Sequence, residues 1–212
     1  MNQFQQLLRA SLLAGAIAGA VLFCFQYAVV VPRILAAEAY ETQEHHDHSH
    51  AEEWKPADGL ERNYYTAAST VLTGIGYAAL LLSIASLTGL PLTVRNGLLW
   101  GLAGFACFSV APSLGNPPEP PGVPAADLAA RQLWWLLTVT ATATGLFLAT
   151  KKRLLIAVIL IALPHLLGAP QTSEISHVPA ALIHRFTFAA LAGNALFWLL
   201  LGPLAGKFGN PE

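Results

Sequence analysis

Charge is scarce in this chain: Asp, Glu, Lys and Arg make up 11% of the 212 residues, while 55% are hydrophobic. A soluble domain of that length could not hide so much apolar surface, and several apolar runs approach or exceed the ~18 residues that mark a membrane span. The net charge of −1 offers no basic excess for nucleic acid. Cysteine is nearly absent. Cys24 and Cys107 both sit inside apolar runs and read as small buried hydrophobes, which sets aside a disulfide framework or a thiolate metal site. No Asp or Glu lies deep in any apolar run, whereas pumps and proton-coupled carriers usually need such a group. No GxxxxGK[ST] phosphate loop occurs, so ATP hydrolysis by that route is also excluded. What remains is an all-α integral membrane protein, a polytopic bundle of five to six transmembrane helices forming one domain over residues 1–212.

The candidate spans are 7–31, 65–90, 96–114, 131–149, 154–167 and 181–201. Gly15 and Gly19 in the first, and Gly97 and Gly101 in the third, have the spacing that lets helices approach closely. A cleaved signal peptide is the rival reading of the first run, but the run is longer than the 7–15 residues of such a segment, which favours a retained helix. Pro32 is expected to end it, and Gly202-Pro203 to end the last. Four prolines within residues 117–121 predict an extended segment. A short interfacial helix is expected over 124–130, with Arg131, Trp134 and Trp135 as interface anchors. Thr138, Thr140, Thr142 and Thr144 are expected to bond to their own backbone carbonyls rather than to line a pore.

Between the first two spans lies a polar, acidic segment, 33–63, with too few apolar residues to fold as a domain. It contains Glu44-His45-His46-Asp47-His48-Ser49-His50, with four imidazoles and a carboxylate between positions 45 and 50. Neutral imidazole and carboxylate suit borderline divalent metals such as Zn, Ni or Co. A tract this dense in histidine is a compositional metal-binding signal rather than a defined site.

Six spans would put both termini on one side, and the excess of Lys and Arg at Arg9, Arg95, Lys151–Arg153 and Lys207 would place that side in the cytoplasm. All seven histidines then fall outside: His45, His46, His48 and His50 in the first loop, with His165, His177 and His184 at later loops and helix ends. Eleven of the twelve acidic residues follow them, leaving only Glu212 inside. The expected metal ligands are therefore His45, His46, Asp47, His48, His50, His165, His177 and His184, with Glu119 and Asp127 as further oxygen donors. Capture on the extracytoplasmic face fits that distribution better than disposal.

Several motifs taken together resemble the CbtA family of predicted cobalt transporter subunits, found in bacteria beside vitamin B12 biosynthesis functions. They are the His-rich tract followed by Trp54–Arg62, and Leu114–Gly122 leading through Pro124–Gln132 to Trp134-Trp135. Pro164–Pro170 and the closing Phe197-Trp198 add to them. The resemblance covers nearly the whole chain and implies five spans rather than six. It also implies cobalt uptake at a bacterial inner membrane, in lipid and beside a small single-span CbtB-type subunit.

The expected function is thus a non-enzymatic subunit for divalent metal uptake, with Co (alternatively Ni or Zn) as substrate and no tightly bound cofactor. The energy would come from a partner or from a gradient. An oligomer is compatible with it. The alternative from another class is a membrane metal sensor, buffer or assembly factor that transports nothing. A membrane metalloenzyme fits least, because the histidines are bunched in one loop instead of being presented from rigid elements.

Overall fold

A computed structural model describes residues 2–41 and 56–209, and all the regular structure in them is helical. The helices are α1 (Gln3–Phe25), α2 (Val31–Glu41), α3 (Leu60–Thr88), α4 (Val94–Phe105), α5 (Ala111–Ser113), α6 (Leu128–Thr150), α7 (Leu154–Leu167) and α8 (Ala180–Gly209). π-Helical turns at Gln26–Val30 and Ala106–Val110 join α1 to α2 and α4 to α5 without interrupting the helices. Among the described residues, five helical stretches are long and apolar enough to cross a membrane: Gln3–Tyr40, Leu60–Thr88, Val94–Ser113, Leu128–Thr150 and Ala180–Gly209.

The prolines depart from expectation. Pro32 does not end the first helix, and Pro203 lies inside α8 rather than closing it. Ending a helix leaves several backbone groups without intrahelical partners, whereas running on through proline gives up one hydrogen bond. Each π-helical turn ends two residues before a proline, Pro32 in one case and Pro112 in the other. The proline ring crowds the carbonyl four residues back, and that carbonyl (Ala28 or Phe108) lies in the widened turn, where the backbone ring is larger.

The described residues fall into two compact units. The first comprises α1, α3, most of α4 and the C-terminal part of α8. Small residues set its packing. A Cβ on Gly74 would lie 2.5 Å from the Gly15 carbonyl oxygen, and one on Gly19 would lie 2.8 Å from Val71 Cα. α4 meets α8 in the same way, since a Cβ on Gly97 would come within 2.6 Å of Pro203 Cα. Tyr77 packs edge-on against Phe197 and Trp198, with ring centroids 6.0 and 5.1 Å away. Cys107 is buried as expected, but Cys24 is exposed.

The second unit holds most of α2, the end of α4 with α5, then α6, α7 and the start of α8. Here α6 and α7 form a tight antiparallel hairpin. Its turn is Lys151–Arg153, where Lys152 takes a positive φ of 60° and Arg153 N–H donates to Leu148 O at 3.0 Å. Gly145 lies against Ala157 and Ile161 midway. The far end brings His165 to Trp134. At 14 residues, α7 spans about 21 Å at ~1.5 Å per residue, short of the ~30 Å hydrocarbon core. It is the fifth of the six apolar runs expected from the sequence, present as a shorter helix folded back along α6.

The Pro-rich connection, residues 117–120, carries no regular secondary structure, in keeping with its composition. Thr187 Oγ1 ties it to α8 by donating to Pro118 O at 2.8 Å. No separate interfacial helix forms over 124–130. Residues 124–127 are irregular, and 128–130 are the first turn of α6, which Asp127 caps by accepting from Ala130 N–H at 2.9 Å.

Candidate functional site

The His-rich tract, with His45, His46, Asp47, His48 and His50, lies outside the described residues. His177 is exposed in the loop before α8, and His184 is exposed near the start of α8. Among the described residues, no three His, Cys, Asp or Glu side chains come together as a metal-binding group. Asp127 is engaged as a helix cap. Glu119 faces Arg131 at 3.8 Å. Burial raises the Glu119 pKa above the ordinary carboxylate value, and the Arg131 charge only partly offsets this.

His165 is placed differently. It occupies the last turn of α7, half-buried, with its ring edge-on to Trp134 at 6.0 Å between centroids. The two rings wall a cavity of about 500 Å³, together with Leu114, Gly115, Ala169 and Gln171. His165 Nε2 is buried and has no hydrogen-bond partner among the described residues. The same holds for Trp134 Nε1 and for Nδ2 of Asn116, the neighbour of Gly115.

Two expectations about α6 change here. Trp134 is not an interface anchor, since it is only 6% exposed, whereas Trp135 packs against Phe108 at 6.0 Å. The signal was in the helical register: Trp134, Thr138, Ala141, Thr142 and Gly145 recur at the spacing of one buried stripe. Of the four threonines, Thr138 and Thr140 donate to Trp134 O and Leu136 O at 2.8 and 2.7 Å, as expected. Thr142 Oγ1, by contrast, is buried without a partner among the described residues.

Gly115 positions the cavity wall. A Cβ there would lie 2.6 Å from both Ala169 Cβ and the Trp134 ring. Sequence reasoning singled out His165 but missed Gly115, Asn116 and Gln171, whose neighbourhood exists only because the hairpin returns the chain to this end.

Five helices of spanning length, lipid-compatible faces and a helical hairpin define a multi-pass membrane protein. Within that class the chain belongs to the CbtA family, described as a probable cobalt transporter subunit, whose match runs over residues 4–210. No curated protein and no solved structure matches it. Membership in a family of transporter subunits implies partners in a complex and favours a non-enzymatic role.

Proposed function

We propose that this chain is the membrane subunit of a cobalt uptake system that gathers Co(II) at the His45–His50 tract, on the extracytoplasmic side of the inner membrane. The ion then passes inward through the helices. A small single-span CbtB-type subunit works beside it. The observation that carries this reading is the family membership over nearly the whole chain.

The hairpin supports the direction. Lys151–Arg153 lies at one end of α6 and α7, while His165 and the Pro-rich connection lie at the other. Basic clusters favour the cytoplasmic face, so the His165 end faces out. The first helix supports a display role for the tract. Gln3–Tyr40 has 38 residues, about 57 Å of helix, so it projects well beyond a ~30 Å core before the tract begins. Since a His/Asp tract binds Ni and Cu more tightly than Co, the tract concentrates metal and selection occurs elsewhere.

Radiolabelled cobalt uptake tests this in cells carrying the chain with its partner, intact or with His45, His46, His48 and His50 all changed to Ala. Uptake should require the chain. At submicromolar cobalt it should drop several-fold in the variant and recover as cobalt is raised. Absence of chain-dependent uptake with the partner present would favour a sensor or assembly role instead.

A further inference from the structure

The turn that joins α6 to α7 is a cluster of positive charge without counterions among the described residues. Lys151, Lys152 and Arg153 are consecutive and all exposed. None of the three forms an ion pair with a described residue, and the one ring contact is Lys151 Nζ over Phe147, 5.3 Å from its centroid. The acidic side chains that flank the hairpin in sequence, Asp127 before α6 and Glu174 after α7, belong to its other end.

The backbone of this turn does not call for a lysine. Lys152 N–H donates to Ala149 O and Arg153 N–H to Leu148 O, both at 3.0 Å, the pair of bonds that closes a helix through one left-handed residue. Lys152 is that residue, with φ of 60°, and glycine adopts the conformation with less strain. Three like charges in succession also repel one another. A cation is thus held where folding alone favours glycine, and strained positions of that kind go with function.

The surface beside the cations is apolar. Leu154 and Leu155 follow at once, 64% and 75% exposed, and Val158 and Ile159 are 64% and 54% exposed. Leu155, Val158 and Ile159 share one face of α7, being three and four residues apart, so an open apolar strip leads away from the basic turn. A soluble anion would meet the charges and leave the strip bare, whereas a phospholipid meets both.

We propose that this turn binds the phosphate of an anionic phospholipid, with an acyl chain lying along Leu155, Val158 and Ile159. Arg153 offers paired N–H donors to the phosphate oxygens, and the two lysines add point charges. The leaflet is the cytoplasmic one in the orientation proposed above, where basic segments meet anionic headgroups. The binding itself does not depend on cobalt transport.

The test uses the full chain purified in a neutral detergent. Native mass spectrometry counts the lipid retained when phosphatidylglycerol or phosphatidylcholine is added, and thermal melting reads the stabilisation that each gives. The parent should retain phosphatidylglycerol several-fold better and melt higher with it, and raised salt should shrink the difference. Lys151→Gln, Lys152→Gln and Arg153→Gln together should abolish the preference. Lys152→Gly alone should weaken it while melting, without lipid, at or above the parent's temperature, because glycine relieves the left-handed turn; that loss is then not one of folding. Arg95→Gln, at an exposed basic residue of α4, should keep the parent's preference. Equal retention of the two lipids by the parent, or an undiminished preference in either turn variant, overturns the site. A loss in Arg95→Gln as large as in the triple variant overturns its location. Stabilisation by inorganic phosphate equal to that by phosphatidylglycerol overturns the lipid as its occupant.

Discussion

At the scale of single residues, two positions report on the cavity and its rim. Gly115 is the tightest point of the wall, because a Cβ would meet both Ala169 and the Trp134 ring at 2.6 Å. Gly115→Val should lower stability by the ~1–3 kcal/mol typical of overpacking, seen as a lower melting midpoint in detergent; an unchanged midpoint would show that the wall yields freely. Glu119 reports on pH. Its pKa is raised by burial, so the folded chain holds that proton more tightly than the unfolded chain. The resulting stabilisation is present at acid pH and is lost as pH rises from the ordinary glutamate value through the raised one. Glu119→Gln stays neutral throughout. Its melting midpoint relative to the parent should therefore rise across that window, and a difference that stays flat would contradict the assignment. In the sequence Glu119 stood out only as a candidate oxygen donor and Gly115 only as part of the Leu114–Gly122 motif; the burial of the one and the close contacts of the other depend on how the chain returns to this end.

At the scale of elements, glycine contacts hold α1 against α3. Gly19→Leu places a branched side chain where even a Cβ would be 2.8 Å from Val71 Cα. It should cost more than the same change at Gly76, which has nothing within 4 Å of its Cβ position. Thermal melting of the two variants side by side checks this, and equal losses would mean that the α1–α3 contact is looser than described. The Gly15–Gly19 spacing pointed to this packing in the sequence, though such a spacing is a weak signal in a membrane helix; Gly74 joins it as expected, while Gly76, expected on the same close-packing face, meets nothing within 4 Å. The helix ends were less legible. Pro32 looked like a stop, but the helix runs on through it behind a π-helical turn at Gln26–Val30. The buried Trp134 was hidden for a similar reason: an Arg131 and paired tryptophans at a helix start look like interface anchors until the register of Thr138, Ala141 and Gly145 is followed back to them.

At the scale of the whole molecule, the all-helical membrane class could be read directly, and the described residues contain five helices long and apolar enough to cross a membrane. The path of the chain at 154–167 could not be read that way. Composition alone does not distinguish a span from a shorter helix folded along its neighbour, and only the contacts of Gly145 with Ala157 and Ile161, and of Trp134 with His165, settle it. Single cysteines at Lys152 and His177, in a chain with Cys24 and Cys107 replaced by Ser, should label with impermeant reagents from opposite faces of the membrane. Labelling of both from one side would contradict the return of the chain along α6, and opposite faces with Lys152 outermost would reverse the orientation of the hairpin.

Flux separates passage of cobalt through this chain, as proposed, from a sensor or assembly role. The protein and its small partner would be reconstituted into liposomes enclosing a cobalt-sensitive dye, with cobalt added outside. Inward flux down the gradient should depend on the chain and fall at low cobalt when the four tract histidines are Ala. Flux no greater than in empty liposomes, with the partner present and both orientations populated, would contradict it.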